Sequence, residues 1–310
     1  MPYGVANHQG PPDDAELIRM LERAREAGVD TIDTARAYGA AEARIGQALP
    51  RVPGPRRWHV ITKLAPDVHD VGVELTESLE RVAASLAASR EALGIDPPPD
   101  LLLHRFAHRS AEAGRLWGAL LAERDAGRIG RLGISAANPE EAWAALDDPE
   151  VQILQVASSL LDLRLFRQGF FARARALGRT VYVRSVFLQG VAHLEPAHLP
   201  AFLAPLRAPI AMIHDRARRL GVPPRALFLA FARDLLPGVH PVIGCEREDQ
   251  LDELLQDWAD ARLDHATIQS LVESLPTLEA RLVDPSLWPK ADAADTPRRT
   301  TCQTAATLPR

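Results

Sequence analysis

The chain has 310 residues, 46% hydrophobic and 25% charged, enough for one large α/β barrel or two average domains with a sizeable core. Its formal net charge is −5, and arginines alternate with acids as in Glu22-Arg23-Ala24-Arg25-Glu26, a solvated helical face that excludes a nucleic-acid footprint. Cys245 and Cys302 are too few for a disulfide framework, and no apolar run nears the roughly 18 residues that span a bilayer. No signal peptide opens the chain, so the cytoplasm is the expected compartment, with no membrane partner.

In chain order, a capping acid at Asp13 or Asp14 precedes Leu17, Met20, Leu21 and Ala24 on one face, and Gly28 stops that helix. Thr31–Ala35 reads as a strand and Ala41–Leu49 as a short helix. The strand His59–Leu64 leads to a long amphipathic helix, Glu74–Leu93, closed by Gly94. Asp100–Phe106 and Ile129–Ser135 are strands, separated by a helix over Ala111–Asp125; Pro139 starts another helix at its first turn. Strands at Val151–Ala157 and Thr180–Val186 flank a helix around Leu163–Leu177. After a proline-rich stretch come helices at Ile210–Leu220 and Pro224–Leu236. A last strand, Val239–Gly244, precedes helices near Glu248–Ala261 and Asp264–Leu275.

Strands that alternate with helices imply βα units, a parallel sheet and right-handed crossovers. Continuous Val/Ile/Leu runs fit strands covered on both faces. No Gly-x-Gly-x-x-Gly follows the first strand, which disfavours an open dinucleotide-binding sheet. The expected fold is therefore a (β/α)8 TIM barrel lacking its first strand. Seven strands are legible, and Met1–Gly10 reads as a loop that should follow the missing one, as a start of translation upstream of Met1 would explain. Such a gap would leave two open edges unless something fills it. Residues 1–283 are expected to form a single barrel domain, with 284–310 a disordered or flexible tail.

The ends of these strands carry the chemistry. Asp33 ends the first legible strand with Tyr38 just beyond it, Lys63 ends the second, and His104 follows Asp100-Leu101-Leu102-Leu103. In a closed barrel, strand C-termini converge on one mouth, where side chains distant in sequence reach one substrate. Taken singly, the lysine is a charged strand terminus and the histidine a satisfied buried ring. On three successive strand ends they become a catalytic set. No third ligand joins His104 and His108, so no metal is expected. Gly127, Gly130 and Gly133 read as a helix stop and the start of a strand, and Cys245 as a small buried residue.

These stretches resemble the aldo-keto reductase family. Gly28-Val29-Asp30-Thr31-Ile32-Asp33-Thr34-Ala35 with Tyr38-Gly39 and Glu42 resembles its acid and tyrosine signature. Ile61-Thr62-Lys63 and Asp100–His104 resemble its lysine and histidine strands, and Gly127–Ser135 and Gln155 with Leu160-Leu161-Asp162 its fourth and fifth blocks. Val183-Arg184-Ser185-Val186-Phe187-Leu188-Gln189-Gly190 is similar to a bacterial branch, and Val242–Cys245 with Gln250–Glu253 to the last motif.

The resemblance implies reduction of a small aldehyde or ketone, sugar-like in this branch, by NADPH, with NADH possible. Hydride delivered to carbon leaves charge on oxygen, which needs a proton donor beside it. A phenol, whose ordinary pKa is about 10, donates more readily beside an ammonium. Tyr38 would be that donor, Lys63 the ammonium, Asp33 its anchor and His104 the group that orients the substrate. Ser135 and Gln155 would grip the nicotinamide carboxamide, although Ala136 stands where asparagine is usual. Arg184 would stack on the nicotinamide ring, and Ser185, Phe187 and Gln189 would follow the pyrophosphate. Gly244, Arg247, Gln250 and Glu253 would meet the adenosine; Gln250 stands where many members place an arginine on the 2′-phosphate. Two rivals remain: a non-catalytic nucleotide-binding barrel acting as sensor or partner subunit, and a barrel using Lys63 as a Schiff base.

Overall fold

The computed structural model describes residues 11–52, 54, 57–95, 100–260, 263–289 and, as backbone, 305–307. Seven parallel strands surround the axis: β1 (Thr31–Asp33), β2 (His59–Lys63), β3 (Asp100–Leu103), β4 (Arg131–Ser135), β5 (Ile153–Ala157), β6 (Thr180–Arg184) and β7 (Val239–Gly244). Neighbours pair in sequence order, with Asp33 beside Ile61, Lys63 beside Leu102 and Ser135 beside Gln155. The expected count of parallel strands therefore holds, in a (β/α)8-type barrel. The segment read as a loop over Met1–Gly10 lies outside the described residues.

The gap between β1 and β7 does not stay open. Ala305–Thr307 form β8, which runs antiparallel to both: Ile32 pairs with Ala306 on one side, and Ile243 with Ala306 on the other. In this way β8 covers the two edges that the sequence left exposed. Elsewhere in the segment read as a tail, Pro285–Leu287 make a 3-10 turn.

The helices are α1 (Asp14–Glu26), α2 (Ala41–Ala48), α3 (Leu75–Leu93), α4 (Arg115–Asp125), α5 (Pro139–Leu146), α6 (Arg164–Arg167), α7 (Phe170–Ala176), α8 (Arg207–Leu220), α9 (Pro224–Ala230), α10 (Glu248–Asp260), α11 (His265–Ser274) and α12 (Ala280–Val283). Their ends follow local chemistry. Asp13 and Asn138 cap α1 and α5 by accepting from the N–H groups of Glu16 and Glu141. Gly94 ends α3 at φ 67°. The helix expected around Leu163–Leu177 is broken into α6 and α7 at Gly169, φ 74°. Likewise Pro224–Leu236 leaves α-geometry at Phe231 for a wider turn through Leu235.

Inside the ring, Ile61, Leu102, Ile153, Tyr182 and Val242 pack together, while the larger apolar layer lies between strands and helices. At the N-terminal end of the barrel, the fully buried Asp100 accepts from His59 Nε2 at 2.6 Å and from Arg131 Nη2 at 2.8 Å. Arg131 Nη1 also reaches Thr180 Oγ1 at 2.8 Å. This polar plug ties the starts of β2, β3, β4 and β6 together and leaves the opposite end for chemistry.

Candidate active site

The loop after β1 keeps the ladder going beyond the strand. Thr34 N–H donates to the Ile61 carbonyl at 2.8 Å and Arg36 N–H to the Lys63 carbonyl at 3.2 Å. A tight turn follows, in which Tyr38 N–H donates to Ala35 O at 3.0 Å. Under it lies Glu42, fully buried on α2, which accepts from Thr62 Oγ1 at 2.5 Å and pairs with Arg36. A buried carboxylate with two donors is satisfied, and here it pins the Tyr38 loop to β2.

The structure brings all four strand-end residues to one mouth. Lys63 is 1% exposed, and its Nζ donates to Asp33 Oδ1 and Oδ2, both at 2.8 Å, and to Thr34 O at 2.9 Å. All three ammonium hydrogens therefore have acceptors. Burial works to lower the Lys63 pKa, but the Asp33 carboxylate and Tyr38 outweigh it and hold the value above the ordinary one. The same Nζ stands 5.1 Å from the Tyr38 ring centre. Tyr38 in turn meets His104 edge-on, centroids 5.9 Å apart. Burial, then the charges of Lys63 and Arg184, push the His104 pKa down to about 4, so the imidazole is neutral near pH 7. Its Nδ1 is buried with no hydrogen-bond partner among the described residues.

Gln155 joins the same polar cluster. Its Nε2 donates to Asp33 Oδ1 at 2.7 Å, and its Oε1 accepts a long bond from Ser135 Oγ at 3.5 Å. The amide thus reaches across the barrel to the acid that holds Lys63. Arg184 ends β6 and spans the mouth, donating to Ala136 O at 2.9 Å and Ser185 Oγ at 3.3 Å.

From Ser185 a cleft of about 280 Å³ runs along the β6–β7 side to the start of α10. Ser185, Phe187, Gln189, Gly244, Gln250 and Glu253 line it, six of the residues singled out for a cofactor. The β6 loop is strained along this path: Ser185, Leu188 and Gln189 have φ of 62°, 44° and 53° without being glycine. Such geometry concentrates at ligand-holding loops. Arg247 Nη1 donates to Glu16 Oε2 at 3.0 Å.

Sequence reading missed Arg225 and His193, both on the cleft wall. Arg225 bonds Asp257 and lies 3.1 Å from Glu253 Oε2. Burial, then the Arg225 charge, lower the His193 pKa. Neither carries a local signal, since each reaches the cleft only through helix packing. Burial, then the Glu246 charge, push the Cys245 thiol up to about 12. Among the described residues no cluster of three His, Cys, Asp or Glu could hold a metal, and no helix is long and apolar enough to cross a membrane.

This mouth and cleft accompany a family match. The model of the aldo/keto reductase family covers residues 3–275. The chain belongs to the aldo/keto reductase family. Among curated relatives, an aldo-keto reductase of Mycolicibacterium vanbaalenii is 35% identical over 127 residues, 41% of this chain and 42% of that protein. Another, of Mycobacterium sp., is 33% identical over 139 residues, 44% of this chain and 46% of the relative. The chain thus spans less than half the length of the curated relatives it matches. The glycerol dehydrogenase of Gluconobacter oxydans shares the fold at a TM-score of 0.66 and 20% identity, over 93% of this chain and 91% of that one. A thermostable aldo-keto reductase solved with the inhibitor epalrestat gives 0.62 at 20% identity, over 87% and 92%.

Proposed function

We propose that the protein reduces a small aldehyde or ketone, sugar-like in size and polarity, to the alcohol with a reduced nicotinamide dinucleotide, Tyr38 giving the proton. The observation that carries this reading is the buried Lys63 ammonium, saturated by Asp33 and Thr34 and set beside the Tyr38 ring. A fixed positive charge there favours the phenolate left when Tyr38 releases its proton to the carbonyl oxygen. Asp33 keeps the ammonium from swinging away, and Gln155 keeps Asp33 from rotating. His104, neutral at working pH, can hydrogen-bond the carbonyl oxygen without adding a competing charge.

A dinucleotide suits the cleft. The groove begins beside the mouth at Ser185, and the strained residues Ser185 and Gln189 both line it. Ser185, Phe187 and Gln189 would hold the middle of the cofactor, Gly244, Gln250 and Glu253 its far end, and Arg184 would flank the nicotinamide. When bound, the nicotinamide supplies the hydride; the protein supplies placement and electrostatics. The test is nicotinamide absorbance against a panel of aldehydes and ketones. Turnover should fall about 100- to 10,000-fold in Tyr38→Phe, with cofactor binding unchanged. A panel without any turnover by the intact protein would refute the reading.

A further inference from the structure

We propose that the far end of the cleft selects NAD(H) over NADP(H): it accepts an adenosine ribose with both hydroxyls free and rejects one bearing a 2′-phosphate. The inference rests on the reading of the cleft as a dinucleotide site. With the nicotinamide at the mouth beside Ser185, the adenosine must lie at the other end, where Gln250 and Glu253 stand at the start of α10.

Charge at that end opposes another phosphate. From Gly244 to Glu253 the chain carries Glu246, Glu248, Asp249, Asp252 and Glu253 against Arg247; Glu248 and Asp252 are paired with Arg19 and Arg23 of α1, both at 2.9 Å, so those two cations are already engaged by carboxylates. Arg247 is committed to Glu16 Oε2 at 3.0 Å. Arg225, the cation on the cleft wall, is held between Asp257 and Glu253 Oε2, the latter at 3.1 Å. Two carboxylates on one guanidinium leave a net negative corner, and a phosphate dianion would have to displace one of them.

Two N–H groups at the start of α10 already point to carboxylates as well. Free N–H groups at a helix N-terminus attract phosphate. Here Glu248 N–H points to Glu16 Oε1 at 3.4 Å, and Gln250 N–H donates to Asp249 Oδ1 at 2.8 Å. Gln250 Oε1 accepts from Glu246 N–H at 2.9 Å, which folds that side chain back on its own loop. What remains at the rim is Glu253, with 60% of its side chain exposed. A carboxylate in such a place can accept from ribose hydroxyls, the way an acidic residue reads the 2′-hydroxyl in other dinucleotide sites.

The experiment is calorimetric titration of the full chain with NADH and with NADPH at low ionic strength, with no substrate present. NADH should bind at least about ten-fold tighter, and the gap should narrow as salt is added. In Glu253→Gln, NADH should weaken and NADPH tighten several-fold, so that the preference shrinks; an unchanged melting temperature certifies folding of the variant. Equal or tighter binding of NADPH overturns the proposal, as does a Glu253→Gln ratio equal to the parent's. Binding of neither dinucleotide overturns it together with the cofactor reading of the cleft. Tighter NADH with no turnover of any carbonyl would uphold it and sink the reductase reading alone.

Discussion

At the scale of single residues, the mouth joins a saturated ammonium to a neutral imidazole, and the two answer pH differently. The His104 pKa is depressed to about 4 in the folded chain, against an unfolded value near 6.5. Between those values the unfolded chain binds the extra proton, so stability is full above about pH 6.5 and drains as pH falls toward 4. The ring is partly open to solvent, so the loss is at most about 3 kcal/mol. Urea denaturation from pH 7 to 4.5 should show His104→Gln losing less stability than the parent across that window. Parallel curves would refute the burial of a neutral ring. Asp33, Tyr38, Lys63 and His104 were legible because each follows or ends an apolar run, a local feature. The Gln155 bond to Asp33 was not legible, because it joins residues 122 apart across the barrel.

At the scale of elements, close approach between strands explains a glycine that the sequence could as well have spent on a loop. A Cβ on Gly133 of β4 would stand 2.1 Å from the Ile153 carbonyl oxygen of β5. Backbone on backbone cannot yield cheaply, so Gly133→Ala should destabilise the barrel by about 1–3 kcal/mol. Thermal melting reads the effect, and because Ser135 ends the same strand, cofactor affinity should fall with it. A melting temperature equal to the parent's would show that β4 and β5 can part there. The pattern of apolar runs placed every parallel strand among the described residues, since period and burial are written residue by residue. It misplaced the two helices broken at Gly169 and Phe231, where one glycine and one wide turn interrupt an otherwise helical pattern.

For the whole molecule, closure is the decisive event. Seven parallel strands leave β1 and β7 with unpaired edges, and β8 joins both from the far end of the chain. Ending the chain at Trp288 would keep that residue packed on Phe202 at 5.7 Å but remove β8. Exposed edges invite pairing with other chains. The shortened protein should melt about 5 °C lower or more and scatter light in proportion to concentration. Identical melting and clear solutions would mean that the edges are protected some other way.

The sequence by itself determined the alternation of strands and helices, the four polar residues at the strand ends and the family they resemble. Each of these depends on residue type and spacing over a short stretch. Only the tertiary structure decided what closes the ring, which partner holds Asp33, and which cations face the cleft. Arg247 is paired with Glu16, 231 residues distant, and Arg225 is claimed by acids one helix away. Contacts of that kind are set by where helices and strands pack against one another, and no short stretch of sequence records them.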